Sequence, residues 1–165
     1  MQLARVLASK EFTDFLRAAT AFIDLVENQK NVQRSLIDLY SMGLMLPEID
    51  QTRGYDYDSD FAVDMKPVIA FVAQRVPFSY YGVLMNAMEL YESPQFGTGD
   101  LIDDICDIYL DLKRAMLAFD EGTIASQENA IWEFKFNYDF HWATHCIEGL
   151  SAIHEYLEYR KLNES

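Results

Sequence analysis

Histidine is scarce in this chain, and two of its three copies fall in the stretch WEFKFNYDFHWATH, from Trp132 to His145. A helix through that stretch carries Glu133, Asn137, His141 and His145 on one slowly drifting stripe, because residues three or four apart are neighbours on a helix surface. His141 and His145 thus have the spacing at which two imidazoles can share a metal ion. A second stripe, from Asp103 to Asp111, lies upstream. If the two helices pack antiparallel, Asp104, Asp107, Asp111, His141 and His145 can form a mixed carboxylate and imidazole site for zinc, manganese or iron, as in some bundle cores. Glu133 would then be the general base of a metal-dependent hydrolase.

The same residues support a second reading. Half-buried histidines hydrogen-bonded to aspartates can hold two helices in register and change charge with pH. Two known metal patterns are absent. Trp142 follows His141, so HWATH lacks the glutamate of the zinc-protease motif. Tyr138 and Trp142 stand three before the two histidines, where ferritin-like di-iron proteins place glutamate.

Other chemistries have less support. There is no GxSxG elbow, and Cys146 points about 100 degrees away from its neighbour His145 on a helix, so the pair is no dyad. Cys106 and Cys146 read as core residues in a reducing compartment, with no CxxC pair. Gly97-Thr98-Gly99 lacks the spacing, preceding strand and lysine of a phosphate cradle. Asp56, Asp58 and Asp60 begin like a calcium loop, but Phe61 stands where the turn glycine belongs and Pro67 where the bidentate glutamate belongs.

These stripes need helices to position them, and the pattern supplies them. Phe12, Phe15, Leu16, Ala19, Phe22, Ile23 and Val26 recur at helical spacing between Ser9 and Asn28, and Val32, Leu36, Leu39, Tyr40 and Leu44 repeat it after a cap at Asn31. The two predict an N-terminal helical hairpin over 9–46. Residues 47–64 read as a long surface loop, with core helices over 65–160. Those helices are expected from Asp64 to Val76, from Ser79 to Tyr91, from Asp100 to Asp120 with Thr98 as its cap, and from Ser126 toward Lys161 with a bend at Gly149. No sustained period-two alternation appears, so no substantial sheet is expected. The predicted fold is all-α, a single-domain antiparallel bundle of five to six helices over 1–165.

Composition sets the outer limits. The chain has 165 residues, half of them hydrophobic, which suffices for one domain with a real core. Its formal charge of −14 would repel a phosphate backbone and an anionic leaflet, so neither nucleic acid nor membrane is an expected partner. The N-terminal MQLARVLASKEF shows no cleavage signal and no segment approaches a membrane span, which predicts an unprocessed cytoplasmic protein. Asn163-Glu164-Ser165 matches a glycosylation triplet by chance. Trp132, Phe136, Phe140 and Trp142 read as core packing, with the aromatic surplus available to line a homodimer interface.

Two blocks carry a family resemblance: Asp103 to Lys113, DDICDIYLDLK, and Trp132-Glu133-Phe134 followed by His141 to His145, HWATH. They resemble the bacterial family termed domain of unknown function 5063, chiefly over 100–155. The chain departs from that family's pattern at Phe134, Lys135 and Ala143. The resemblance implies a small helical bacterial protein whose biochemical role is not established. Both blocks coincide with the polar stripes found from spacing. The leading expectation is a helical binding or interaction module for a protein partner or small molecule; the rival is the metal-dependent hydrolase.

Overall fold

The computed structural model describes residues 2–28, 32–52 and 62–163. Among them the chain forms seven α-helices, one π-helical turn and one two-stranded sheet. The expected cap at Asn31, the aspartates Asp56, Asp58 and Asp60, and the end of the glycosylation triplet lie outside the described residues.

A short α1 (Gln2–Leu7) precedes α2 (Lys10–Asn28), whose first turn is capped by Ser9, its Oγ accepting from the Phe12 N–H at 3.2 Å. Phe12, Phe15, Ala19, Phe22, Ile23 and Val26 are buried, as their spacing requires. Each large apolar side chain so removed from water contributes roughly 1.5–3 kcal/mol. α3 (Val32–Gly43) packs Leu36 and Leu39 into the same core and completes the predicted hairpin. It ends at Gly43, where a Cβ would stand 2.3 Å from the Tyr138 ring.

α4 (Met65–Ala73) is capped by Asp64, with Pro67 in the first turn. The expected helix over Ser79–Tyr91 does not form. Tyr80–Leu84 is instead strand β1, paired antiparallel with β2 (Phe96–Asp100) in a register running from Tyr80 opposite Asp100 to Leu84 opposite Phe96. Aromatic and β-branched residues favour a pleated surface, and β1 is short enough that the apolar run looked equally helical. The connection is tied by Asn86, whose Nδ2 donates to the Ser93 carbonyl at 3.1 Å while its Oδ1 accepts from the Gln95 N–H at 2.8 Å. Gly97-Thr98-Gly99 therefore belongs to a strand, and Asp100, not Thr98, caps the next helix by accepting from the Ile102 N–H at 3.0 Å. The fold is mostly helical, as expected, and adds this one two-stranded ribbon, which the helical periodicity did not indicate.

α5 (Leu101–Asp120) runs through the centre and packs against α2, α4, α6 and α7. Gly122, at φ 73°, turns the chain into α6 (Ile124–Asn137), which opens on a capping box between Thr123 and Ser126. The anticipated single final helix is divided: α6 passes through a π turn (Tyr138–Trp142) into α7 (Ala143–Asn163). The irregularity thus sits at 138–142 and not at Gly149. Gly149 is buried inside α7, where a Cβ would meet Leu101 Cδ1 at 3.2 Å, so its smallness serves close packing on α5. Trp142, fully buried, anchors the π turn between Phe15 and Tyr138, at ring separations of 6.3 and 4.9 Å. Phe136 and Phe140, expected in the core, are exposed and form a surface ladder with Trp132.

Candidate metal centre

The two polar stripes meet. α5 and the π turn with α7 run antiparallel: Asp111, midway along α5, faces His141, and Asp104, early in it, faces His145. His141 Nδ1 lies 2.7 Å from Asp111 Oδ2, and His145 Nδ1 lies 2.7 Å from Asp104 Oδ1. An ionised carboxylate can only accept, so each Nδ1 carries the proton and donates it. That fixes both rings and leaves each Nε2 free to face Asp107. The two Nε2 atoms stand 3.6 and 3.8 Å from Asp107 Oδ2, too far for hydrogen bonds. One ligand atom from each of Asp107, His141 and His145 lies within 4.8 Å of the other two. Two ligands about 2.1 Å from one tetrahedral ion stand about 3.4 Å apart, so the cluster has nearly the dimensions of a divalent-metal site.

The five predicted residues therefore divide into two roles. Asp107, His141 and His145 converge, while Asp104 and Asp111 hold the imidazoles from behind, as outer carboxylates do in many metal proteins. Glu133 lies eight residues before His141, about 12 Å along a helix axis, and its Oε2 accepts from Asn137 Nδ2 at 3.3 Å. It is not part of the converging trio.

Burial is graded across the site. Asp104 is buried, Asp111 and His145 are mostly covered, and the His141 side chain is 43% exposed, so one side of the cluster opens to solvent. The hydrogen bond to Asp104 raises the proton affinity of His145, opposed by burial and supported by the charges of Asp104, Asp107 and Glu148. Asp107 is also raised, first by burial and then by Asp103, with the two histidines acting the other way. Burial and the Asp104 charge raise Glu148. Asp107 and Glu148 thus hold their protons to higher pH than free carboxyls do, and a bound metal would act the other way.

One participant escaped the sequence reading. Tyr81, from β1, donates its hydroxyl to Asp104 Oδ2 at 2.5 Å, so both oxygens of that buried carboxylate are occupied. Burial followed by this hydrogen bond raises the phenol far above its ordinary value, keeping it a donor. The signal was the strand pattern of YYGVL beyond Pro77, hidden by reading that run as a helix. The cysteines match expectation: burial pushes the Cys106 thiol up to about 11 and the Cys146 thiol up to about 12, which makes poor nucleophiles.

Residues 6–159 match the family described as "Domain of unknown function (DUF5063)". This chain belongs to the DUF5063 family. The two blocks that suggested it are those whose helices bring the cluster together. A crystal structure of protein BF1032 from Bacteroides fragilis resembles the fold with a TM-score of 0.73 at 17% identity, over 91% of this chain and 97% of that one. At that identity the likeness concerns the fold alone. No curated protein matches the sequence. Among the described residues of this DUF5063 chain, no helix is long and apolar enough to cross a membrane.

Proposed function

We propose that this chain is a metal-binding bundle that holds one divalent transition-metal ion through Asp107, His141 and His145, with a solvent-facing position left for a substrate oxygen. The observation that carries the proposal is the pairing of each Nδ1 with its own aspartate at 2.7 Å while both Nε2 atoms face a third carboxylate beyond hydrogen-bond reach. Those two gaps are close to the separation of two ligands on one ion. Two imidazoles and one carboxylate suit zinc, iron(II) or manganese.

Such an ion supplies Lewis acidity toward a bound oxygen, which suits hydrolase chemistry. For the accompanying proton transfer Glu148 is better supplied than Glu133. Its carboxyl has a raised proton affinity and its charge is felt by His145, whereas Glu133 is held by Asn137.

The test is elemental analysis of untagged protein after equilibrium dialysis against micromolar zinc, iron(II) or manganese. One equivalent of metal is expected in the native chain and none in the His141→Ala, His145→Ala double variant. A protein that stays metal-free while folded would leave the registry network as the account of these residues. The raised proton affinity of His145 favours that second reading, since an imidazolium between aspartates is itself a stable ion pair.

A further inference from the structure

Beside the cluster, which it borders at Tyr81 and Glu148, an open groove of about 960 Å³ separates the hairpin from α7. All five residues of β1, Tyr80–Leu84, line it, and α7 contributes Ile147, Glu148, Ser151, Glu155 and Tyr159 to the opposite wall. Successive strand side chains point to opposite faces, so five consecutive β1 residues bordering one groove, against Phe96 alone from β2, place the backbone edge of β1 on it.

The ladder shows which groups lie on that edge. The Leu101 N–H donates to the Ser79 carbonyl and the Met85 N–H to the Gln95 carbonyl, both at 2.7 Å. In an antiparallel pair these bonds recur at every second residue, so Tyr81 and Val83 also bond to β2. The N–H and C=O groups of Tyr80, Gly82 and Leu84 then point outward. No hydrogen bond among the described residues engages them. The α7 wall from Ile147 to Tyr159 is about 18 Å long and β1 about 17 Å, so the trough matches a strand of five or six residues.

We propose that this edge receives an extended segment of a partner protein as a third strand, and that the segment carries lysine or arginine. Main-chain pairing with Tyr80, Gly82 and Leu84 would give affinity, and pockets for alternate side chains would give selectivity. The basic requirement follows from Glu148 and Glu155 on the facing wall and from the net charge of −14. The same charge opposes a second copy of this chain in the seat. The proposal needs no ion on Asp107, His141 and His145, while it shares Glu148 with the proton transfer proposed above and Tyr81 with the Asp104 hydrogen bond.

Gly82 provides the test. A Cβ built there meets nothing within 4 Å, and its N–H points away from β2, so proline can replace it without breaking the β1–β2 ladder. Random linear decapeptides displayed on phage are panned on the full chain, and enriched sequences are synthesised and measured by fluorescence anisotropy. The expected peptides alternate apolar and basic residues and bind native protein and Gly82→Ala alike. They bind Gly82→Pro at least tenfold more weakly and Glu155→Lys about fivefold more weakly, and N-methylation at alternate peptide positions abolishes binding. The peptide modification reads the same contact should Gly82→Pro fail to fold. The proposal is overturned by no enrichment over bare support, by equal binding to a folded Gly82→Pro, by indifference to N-methylation, or by a native dimer that Gly82→Pro converts to monomer.

Discussion

His145 and Asp104 are 41 residues apart in sequence, yet Nδ1 and Oδ1 lie 2.7 Å apart, with the second Asp104 oxygen taken by the Tyr81 hydroxyl. One buried carboxylate thereby joins α5, α7 and the hairpin. Replacing Asp104 by Asn keeps the shape but removes the charge that fixes the imidazole. Zinc affinity should fall by about 10- to 100-fold. The His145 proton affinity, followed by NMR titration, should also drop toward that of a free imidazole. A substitution that changed only the melting temperature would restrict Asp104 to packing.

Tyr81→Phe removes one hydrogen bond to a charged group and little else. A loss of about 1–2 kcal/mol is expected in urea unfolding. Amide exchange should accelerate at Tyr81 and Val83 more than in α5, because the hydroxyl ties the hairpin to the bundle. Equal acceleration throughout would mean that the bond does not restrain the ribbon.

The sequence disclosed the helices where apolar spacing was long and regular, as in α2 and α5, and it placed Asp107, His141 and His145 on the two elements that meet. Helical periodicity says which residues share a face; it does not say which carboxylate will ligate and which will support. Asp107 and Asp104 differ in the partners brought to them by other elements, and one of those partners, Tyr81, sits on a five-residue strand too short for period-two alternation to be decisive. The π turn was likewise invisible, since it depends on seating Trp142 against Phe15, far upstream in the chain.

The metal-free protein should lose stability with rising pH. The folded-state affinity of His145 for its proton is raised, so its contribution is fully present below about pH 6.5, the ordinary imidazole value, and is lost as pH climbs through the higher folded value. Asp107 and Glu148, also raised, act in the same direction in the carboxylate range. Thermal melts from pH 6 to 8 should therefore fall in native protein and flatten in His145→Gln. With saturating zinc the gain in melting temperature should grow with pH, since the ligands must be deprotonated. Identical slopes in native protein and His145→Gln would refute the assignment.

The π turn packs too closely on α3 to accept a methyl group. Gly43→Ala would drive a Cβ to 2.3 Å from Tyr138 and 2.8 Å from Trp142, and should cost about 1–3 kcal/mol in urea unfolding. Gly82→Ala, whose Cβ meets nothing within 4 Å, should change stability by less than about 0.5 kcal/mol. Equal effects would contradict the packing described at Tyr138–Trp142.

Calorimetric titration of the untagged protein with zinc, at pH 7 in two buffers of different ionisation enthalpy, tests the metal centre most directly. One site of micromolar or tighter affinity is expected, with proton release on binding and at least a hundredfold loss in His145→Ala. Absence of saturable binding, or an affinity unchanged by that substitution, would contradict the assignment of Asp107, His141 and His145 as ligands.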